Sequence, residues 1–226
     1  MTRHRSLHDR NQGFSLVELA IVLIIFTLLA GGLLMTLSAQ QEIQRLSQVR
    51  RQLADIREAL LGYAVANGRL PPAAKPTLIS GTEGAGWSEE GLEFGVLPWA
   101  TLGLPETDPW GQRFTYRVNQ KFIKAPTSPA LSGFMLGDTG DITVTDGSTN
   151  IATNLPVIVI SHGCNGLGGY GQDGTQRAGA AGDEWINASN STTFVSRVQS
   201  TDFDDEVIWV PLPILMNRMV TAGRLP

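Results

Sequence analysis

Cysteine is almost missing from these 226 residues. Cys164 stands alone, so no intrachain disulfide can form even in an oxidising compartment. Charge is also sparse, at 17% of residues against about 25% in typical globular domains. The formal net charge is −4, and the body has no Lys/Arg-rich run. Composition therefore excludes non-specific binding through a basic surface, and no nucleic acid is expected as a partner. Strand–helix alternation is missing beyond residue 68, which argues against a parallel βαβ sheet. Proline does not occur from residue 14 to residue 70, leaving a long stretch free to be helical. The length suits one sizeable domain with an appendage.

What is present is concentrated at the N-terminus. Residues 1–13 are polar and basic, with Arg3, Arg5 and Arg10 against Asp9. Residues 19–39 then carry no charge over 21 positions, about the length of a membrane-spanning helix. Glu18 sits at the mouth of this run. A secretory signal peptide would have a shorter apolar region and a small-residue cleavage site, whereas here the run leads into further helix. A plain single-span anchor fits the length but has no need of Glu18. The third reading is a basic leader ending in Gly, an aromatic residue after it, and an apolar helix with Glu at its fifth position.

Residues 13–18, GFSLVE, match that third pattern and resemble the type IV pilin and type II secretion pseudopilin superfamily. The resemblance implies that a membrane aspartyl peptidase cuts between Gly13 and Phe14 and methylates the freed amine of Phe14. A Gly before the scissile bond admits extended backbone to a confined site without side-chain obstruction. A carboxylate at the edge of hydrocarbon is expensive and usually has a definable partner. The resemblance supplies the Phe14 amine as partner of Glu18, on a neighbouring subunit or on the same chain. At about 4 Å and an effective dielectric near 20, such a pair gains on the order of 4 kcal/mol before desolvation. Loss of the leader, with three Arg and one Asp, takes the formal charge from −4 to −6.

Beyond residue 39 the helical signal continues but becomes amphipathic. Ile43, Leu46, Val49, Leu53, Ile56, Leu60 and Tyr63 recur at three- and four-residue steps among polar positions. Asn67-Gly68 followed by Pro71-Pro72 predicts the stop. A helix over residues 15–66 would be about 80 Å long. Gly31-Gly32 within the apolar half suits either close helix packing or local bending.

From residue 68 the chain is rich in Gly, Pro, Ser and Thr, with short β-like runs at 113–118, 142–145, 157–161, 193–198 and 206–210. These predict an antiparallel sheet on the amphipathic helix, an α+β pilin-like fold. A last short helix is expected over 213–222, Pro213 suiting its first position. The expected organisation is a cleaved leader at 1–13, a transmembrane and filament-core helix at 14–39, an amphipathic helix at 40–67 and a β-rich head at 68–226.

One head motif adds to the resemblance. Asp108-Pro109-Trp110-Gly111, with Tyr116 following, is similar to a D-P-W-G segment of the major pseudopilin of type II secretion, where it forms the turn entering the first strand. Asp-Pro starts a turn, Gly111 permits a positive φ, and Trp110 can plug the helix–sheet interface. Two departures, the greater length and the lack of the cysteine pair that closes the C-terminal loop of many pilins, point to a minor rather than a major subunit.

Two groups invite other chemistry. SHGCNG at 161–166 places a hydroxyl, His162 and Cys164 close together, but a Cys–His nucleophile needs facing side chains and a third orienting group. Asp138, Asp141 and Asp146, interleaved with Gly137, Gly140 and Gly147, are candidate calcium ligands, as in some pseudopilins. Their spacing fits no EF-hand loop, and Asp/Gly loops also serve as plain turns. Asp202, Asp204, Asp205 and Glu206 form a second acidic run, which reads first as a solvated loop.

The reading that results is a non-enzymatic structural subunit of a type II secretion pseudopilus. Its expected partners are the prepilin peptidase/methyltransferase, other pilin-like subunits, an inner-membrane assembly platform and the lipid bilayer. The leader would be cytoplasmic, the head periplasmic, and calcium the one candidate cofactor. The alternative is a minor type IV pilin acting as a tip adhesin or binding subunit; a membrane-anchored hydrolase using His162 and Cys164 is the remote one.

Overall fold

Helix α1, Leu16–Asn67, carries no proline and opens the described chain. The computed structural model describes residues 15–225, apart from the side chains at 30–39. The chain divides into two compact units, Met1–Gln44 and Arg45–Pro226. That boundary marks a change of packing, whereas 39/40 and 67/68 mark changes of composition.

In the first unit the described part is the start of α1, whose side chains from Leu16 to Leu29 are exposed and almost all apolar. Glu18 and Thr27 are the polar exceptions, and the Thr27 hydroxyl donates to the carbonyls of Leu23 and Ile24 on the same helix. Among the described residues no helix is long and apolar enough to cross a membrane. The described apolar side chains stop short of the roughly 20 residues a span requires. Positions 30–39 of the expected 19–39 span, Gly31 and Gly32 among them, lie outside the described side chains.

In the second unit α1 continues to Asn67 and ends where Gly68 takes φ +71, donating its N–H to the Ala64 carbonyl at 2.8 Å. A side chain at Gly68 would strike the Leu131 carbonyl, so glycine is required there on two counts. The last carbonyls of the helix meet a cation: Arg224 donates to Val65 O at 2.7 Å and to Ala66 O at 2.6 Å.

Strands β1 (Phe94–Val96), β2 (Thr115–Val118), β5 (Val157–Ser161) and β7 (Glu206–Val210) form a four-stranded sheet in the order β1-β2-β5-β7, antiparallel throughout. Strands β3 (Ile142–Thr145), β4 (Asn150–Leu155) and β6 (Thr193–Val195) form a second sheet in the order β4-β3-β6. Helices α2 (Trp99–Leu102), α3 (Gly182–Ala188) and α4 (Leu212–Thr221) lie between or after the strands. The α+β class and the antiparallel main sheet agree with the sequence reading. The second sheet was not expected, and its β3 and β6 run parallel. Their connection passes through β4, β5 and α3 rather than one crossover helix, so no strand–helix alternation announces it.

Strand β5 shows why three layers form. Its residues are all buried, and with side chains alternating across the pleat the two faces serve two cores. Val157 and Val159 join Val49, Leu53, Ile56 and Leu60 of α1 and Leu215 and Met219 of α4. Ile158 and Ile160 join Ile142, Val144, Leu155 and Phe194 of the second sheet. Strand β7 splits the same way, Ile208 and Val210 toward the helices, Val207 and Trp209 toward the second sheet. Each fully buried aliphatic side chain contributes about 1.5–3 kcal/mol, so the central sheet is fixed from both sides. Helix α4 begins one residue earlier than expected, which puts Pro213 in its first turn, where a missing N–H costs nothing.

Candidate functional site

The helix start is built by two side chains. Ser15 Oγ accepts the Val17 N–H at 3.3 Å, and Glu18 Oε2 accepts the Ser15 N–H at 3.2 Å. Ser15 is therefore the N-cap, its hydroxyl on the second-position N–H, and Glu18 at the third helical position reaches back to the Ser15 N–H, which is the Glu half of a capping box. The two bonds satisfy backbone donors that a helix end otherwise leaves unpaired. Gly13 and Phe14, the expected cleavage pair, lie outside the described residues.

The 108–111 segment forms a turn closed by its own carboxylate. Asp108 Oδ1 accepts from the N–H groups of Trp110 at 3.0 Å and Gln112 at 2.9 Å, and the Asp108 and Gln112 backbones pair at 2.9 Å. Pro109 follows Asp108 within this turn, and Gly111 takes φ +87, a conformation side-chained residues rarely adopt. Trp110 packs against the core shared by α1 and the main sheet. The turn leads into Arg113, which is wholly buried. Its guanidinium contacts Glu106 at 2.8 Å, donates to the carbonyls of Pro76, Leu78 and Gln172, and lies 4.8 Å from the Trp99 ring centroid. The chain is thus locked in place just before β2 begins.

The three candidate calcium ligands do not converge. Asp138 accepts the Met135 N–H at 2.8 Å. Asp141 pairs with Arg117 at 3.0 Å. Asp146 closes a turn on itself, where the N–H groups and hydroxyls of Thr149 and Ser148 hold its carboxyl well below the usual carboxylate range. Each carboxylate is spent on a local partner.

A different acidic set does converge. Glu184 of α3 and Asp204 and Asp205 ahead of β7 place one carboxylate oxygen each within 4.8 Å of one another. Glu184 is 4% exposed and Asp205 3%. Some of their oxygens have partners: Asn165 Nδ2 donates to Glu184, the Asn165 N–H to Asp204 Oδ2, and Asn187 Nδ2 to Asp205 Oδ2 at 2.8 Å. Asp204 Oδ1 and Asp205 Oδ1 are buried with no hydrogen-bond partner among the described residues. No Lys or Arg among the described residues pairs with any of the three; the nearby Arg197 is taken by Asp183 and Asp202. Burial pushes the Glu184 carboxyl up, the Asn165 amide works against this, and Asp205 and Asp204 add to it. Buried carboxylates without a counter-charge are costly, so the arrangement fits a cation held by oxygen donors.

The SHGCNG segment adjoins this set without forming a nucleophilic pair. Ser161 is committed to Asp108, and His162 is fully buried, with Nε2 at 2.7 Å from Thr115 Oγ1. Its Nδ1 lies 3.6 Å from Asp205 Oδ1 and makes no hydrogen bond. Cys164 is exposed, whereas His162 has no accessible surface. Sequence reasoning noticed the acidic run at 202–206 but not Glu184, about twenty positions earlier. The missing signal was spatial, since α3 was not predicted.

Comparison with known proteins bears on the N-terminus. Residues 8–34 match the prokaryotic N-terminal methylation motif, the signature of the prepilin-type cleavage and methylation segment of type IV pilins and pseudopilins. The N-terminal segment thus carries the signature of a type IV pilin-like or pseudopilin precursor. Neither the curated proteins nor the solved structures give a significant match.

Proposed function

We propose that this precursor is cut between Gly13 and Phe14, methylated on Phe14, and assembled as a non-enzymatic subunit of a type II secretion pseudopilus. The observation that carries the reading is the methylation motif at 8–34, which contains GFSLVE at 13–18. The turn at 108–111 entering β2 supports a pseudopilus over a pilus, because its sequence is similar to that of the major pseudopilin. The partners that follow are the prepilin peptidase/methyltransferase, other pilin-like subunits, the assembly platform of the inner membrane and the bilayer itself. In this reading the leader is cytoplasmic and the head periplasmic.

N-terminal mass spectrometry of the chain from cells carrying the peptidase tests it. The expected product begins at N-methylated Phe14, and Gly13→Leu leaves the precursor uncut. A chain that keeps its 13-residue leader in such cells overturns the reading.

We further propose that the head holds a hard divalent cation at Glu184, Asp204 and Asp205 rather than at Asp138, Asp141 and Asp146. Three protein carboxylates lie within 4.8 Å of one another, and cages of protein oxygens suit Ca²⁺ better than Mg²⁺, which keeps several of its waters. The ion would tie α3 to the segment that leads into β7, a structural role.

A further inference from the structure

We infer that one head docks on the next end to end, Trp185 of one copy entering a groove beside the C-terminal end of α1 on another. This rests on the reading of the chain as a filament subunit and names a contact between its heads.

The groove is built where α1 stops. The Gly133 N–H donates to the Gly68 carbonyl at 2.9 Å, and Phe134 is buried against Phe122 with ring centroids 4.9 Å apart. These contacts fix the loop over 124–137, so the groove of about 700 Å³ that it walls together with Leu225 is preformed. Leu131, Met135 and Leu136 line it and are half exposed or more. Clustered apolar side chains on an outer surface mark a contact site, whereas scattered ones need no explanation. Lys124 and Arg224 stand among them, and residues 121–137 include Lys121 and Lys124 but no carboxylate. The groove therefore suits an apolar side chain carried on an acidic surface.

The head itself presents one. Helix α3 turns Glu184 and Asn187 inward, where both are buried, and so turns Trp185 outward, 59% exposed. A large aromatic side chain left in water is the kind that anchors interfaces. Residues 182–206 around it hold six carboxylates against one cation, Arg197. A divalent ion seated among three of them would still leave the segment negative. Opposite charge on the two surfaces steers their approach and rejects groove against groove.

Position decides which copy supplies the tryptophan. The Leu131 carbonyl crowds Gly68, which places the groove at that end of the helix. Asn187 ties α3 to Asp205, whose neighbour Glu206 pairs with Arg50 at 2.7 Å. Arg50 and Gly68 are about 27 Å apart along α1 at 1.5 Å per residue, so one head cannot close the contact on itself. A contact between unlike ends leaves a groove free on one terminal copy and Trp185 free on the other, and it propagates as an open row. Successive heads then point the same way, as subunits rooted in one membrane must.

Disulfide trapping tests this on the full chain in cells that carry the peptidase, with Cys164 changed to Ser. Ala130→Cys at the groove and Ala181→Cys, at the residue whose carbonyl accepts the Trp185 N–H, put an exposed thiol on each surface and leave the anchor intact. A chain with both changes is expected to give a ladder of dimers, trimers and longer products on oxidation, and either change alone only monomer. Trp185→Ala in the double variant should cut these products about tenfold or more, and Trp185→Phe should retain most of them. Lys121→Glu with Lys124→Glu should weaken the ladder as well. Dimers from one cysteine alone mean that like surfaces meet, and they overturn the contact. So does a cross-link to a different protein, a ladder unchanged by Trp185→Ala or by the two lysine changes, or no cross-link in cells whose processed chain sediments as filament. A precursor that keeps its leader and forms no filament overturns the parent reading and this contact with it, which separates the two failures.

Discussion

The Ser161 hydroxyl donates to Asp108 Oδ2 at 2.6 Å, so one buried carboxylate joins the end of β5 to the turn that feeds β2. Burial pushes this carboxyl above its ordinary value of 3.8, against the lowering effect of Ser161, the Gln112 and Trp110 amides and His162. A carboxyl raised in the folded state contributes its full stability below about pH 3.8, and that contribution is lost as pH rises through the folded value. Asp108→Asn keeps an oxygen for both amides and turns its Nδ2 toward the Ser161 oxygen, so only the ionisation is removed. The stability difference, variant minus wild type, is expected to grow from pH 4 to pH 7 in urea unfolding. An equal difference at both ends of that range would refute it. Asp108→Ala, by contrast, orphans buried donors at about 1–3 kcal/mol each.

Arg113 supplies a harsher test. Its guanidinium is fully buried and its one ionic partner among the described residues, Glu106, is 15% exposed. Removing one member of a buried pair leaves a charge without compensation, which costs about 3–5 kcal/mol. Glu106→Ala should therefore lower the urea midpoint sharply, and a loss under about 1 kcal/mol would mean that the three carbonyls around Arg113 suffice. Glu106→Gln, which retains acceptor oxygen, should fall between the two.

How far these features were legible depends on whether they are local in sequence. The helix stripe was legible because periodicity is local: Val49, Leu53, Ile56 and Leu60 are all buried. Its ends were not, since Ile43 is exposed and Leu61 and Ala64, rather than Tyr63, complete the buried face near the stop. Strands β3, β5 and β7 lie where β-branched runs predict them, whereas β1 contains a glycine and β4, NIATNL, is polar and largely exposed. Neither has the alternation that marks a strand. The capping box was written plainly as S-x-x-E at 15–18, yet it was overlooked because the charge of Glu18 suggested a more distant partner. The acidic set needed the fold itself, as Glu184 meets Asp204 and Asp205 only after α3 packs beside β6 through Asn187.

Glu18 has a further consequence for assembly. Glu18→Val removes both cap and charge, but leaves Gly13 and Phe14 as they are. Cleavage is expected to proceed and incorporation into a filament to fall. Gln at the same position retains the cap and so should incorporate better than Val, though less well than Glu. The measurement is the fraction of processed chain that sediments with sheared filaments. Equal sedimentation of all three would remove any role for the carboxylate.

Calcium should distinguish the two acidic sets by their response to neutralisation. A ligand that binds only the folded state stabilises it by about 2.7 kcal/mol at a hundred times its dissociation constant. Thermal unfolding of the full chain in detergent is expected to shift upward with added Ca²⁺ after chelation, and less with Mg²⁺. Asp205→Asn and Glu184→Gln should abolish the shift while raising the midpoint measured in chelator, because each relieves repulsion within the set. The triple change Asp138→Asn, Asp141→Asn and Asp146→Asn should keep the shift and lower the baseline, since it breaks the Arg117 pair and two turns. The baseline thus moves in opposite directions for the two sets, which a general loss of fold cannot imitate. A calcium shift that survives Asp205→Asn, or one reproduced in full by Mg²⁺, would defeat the assignment of these three carboxylates.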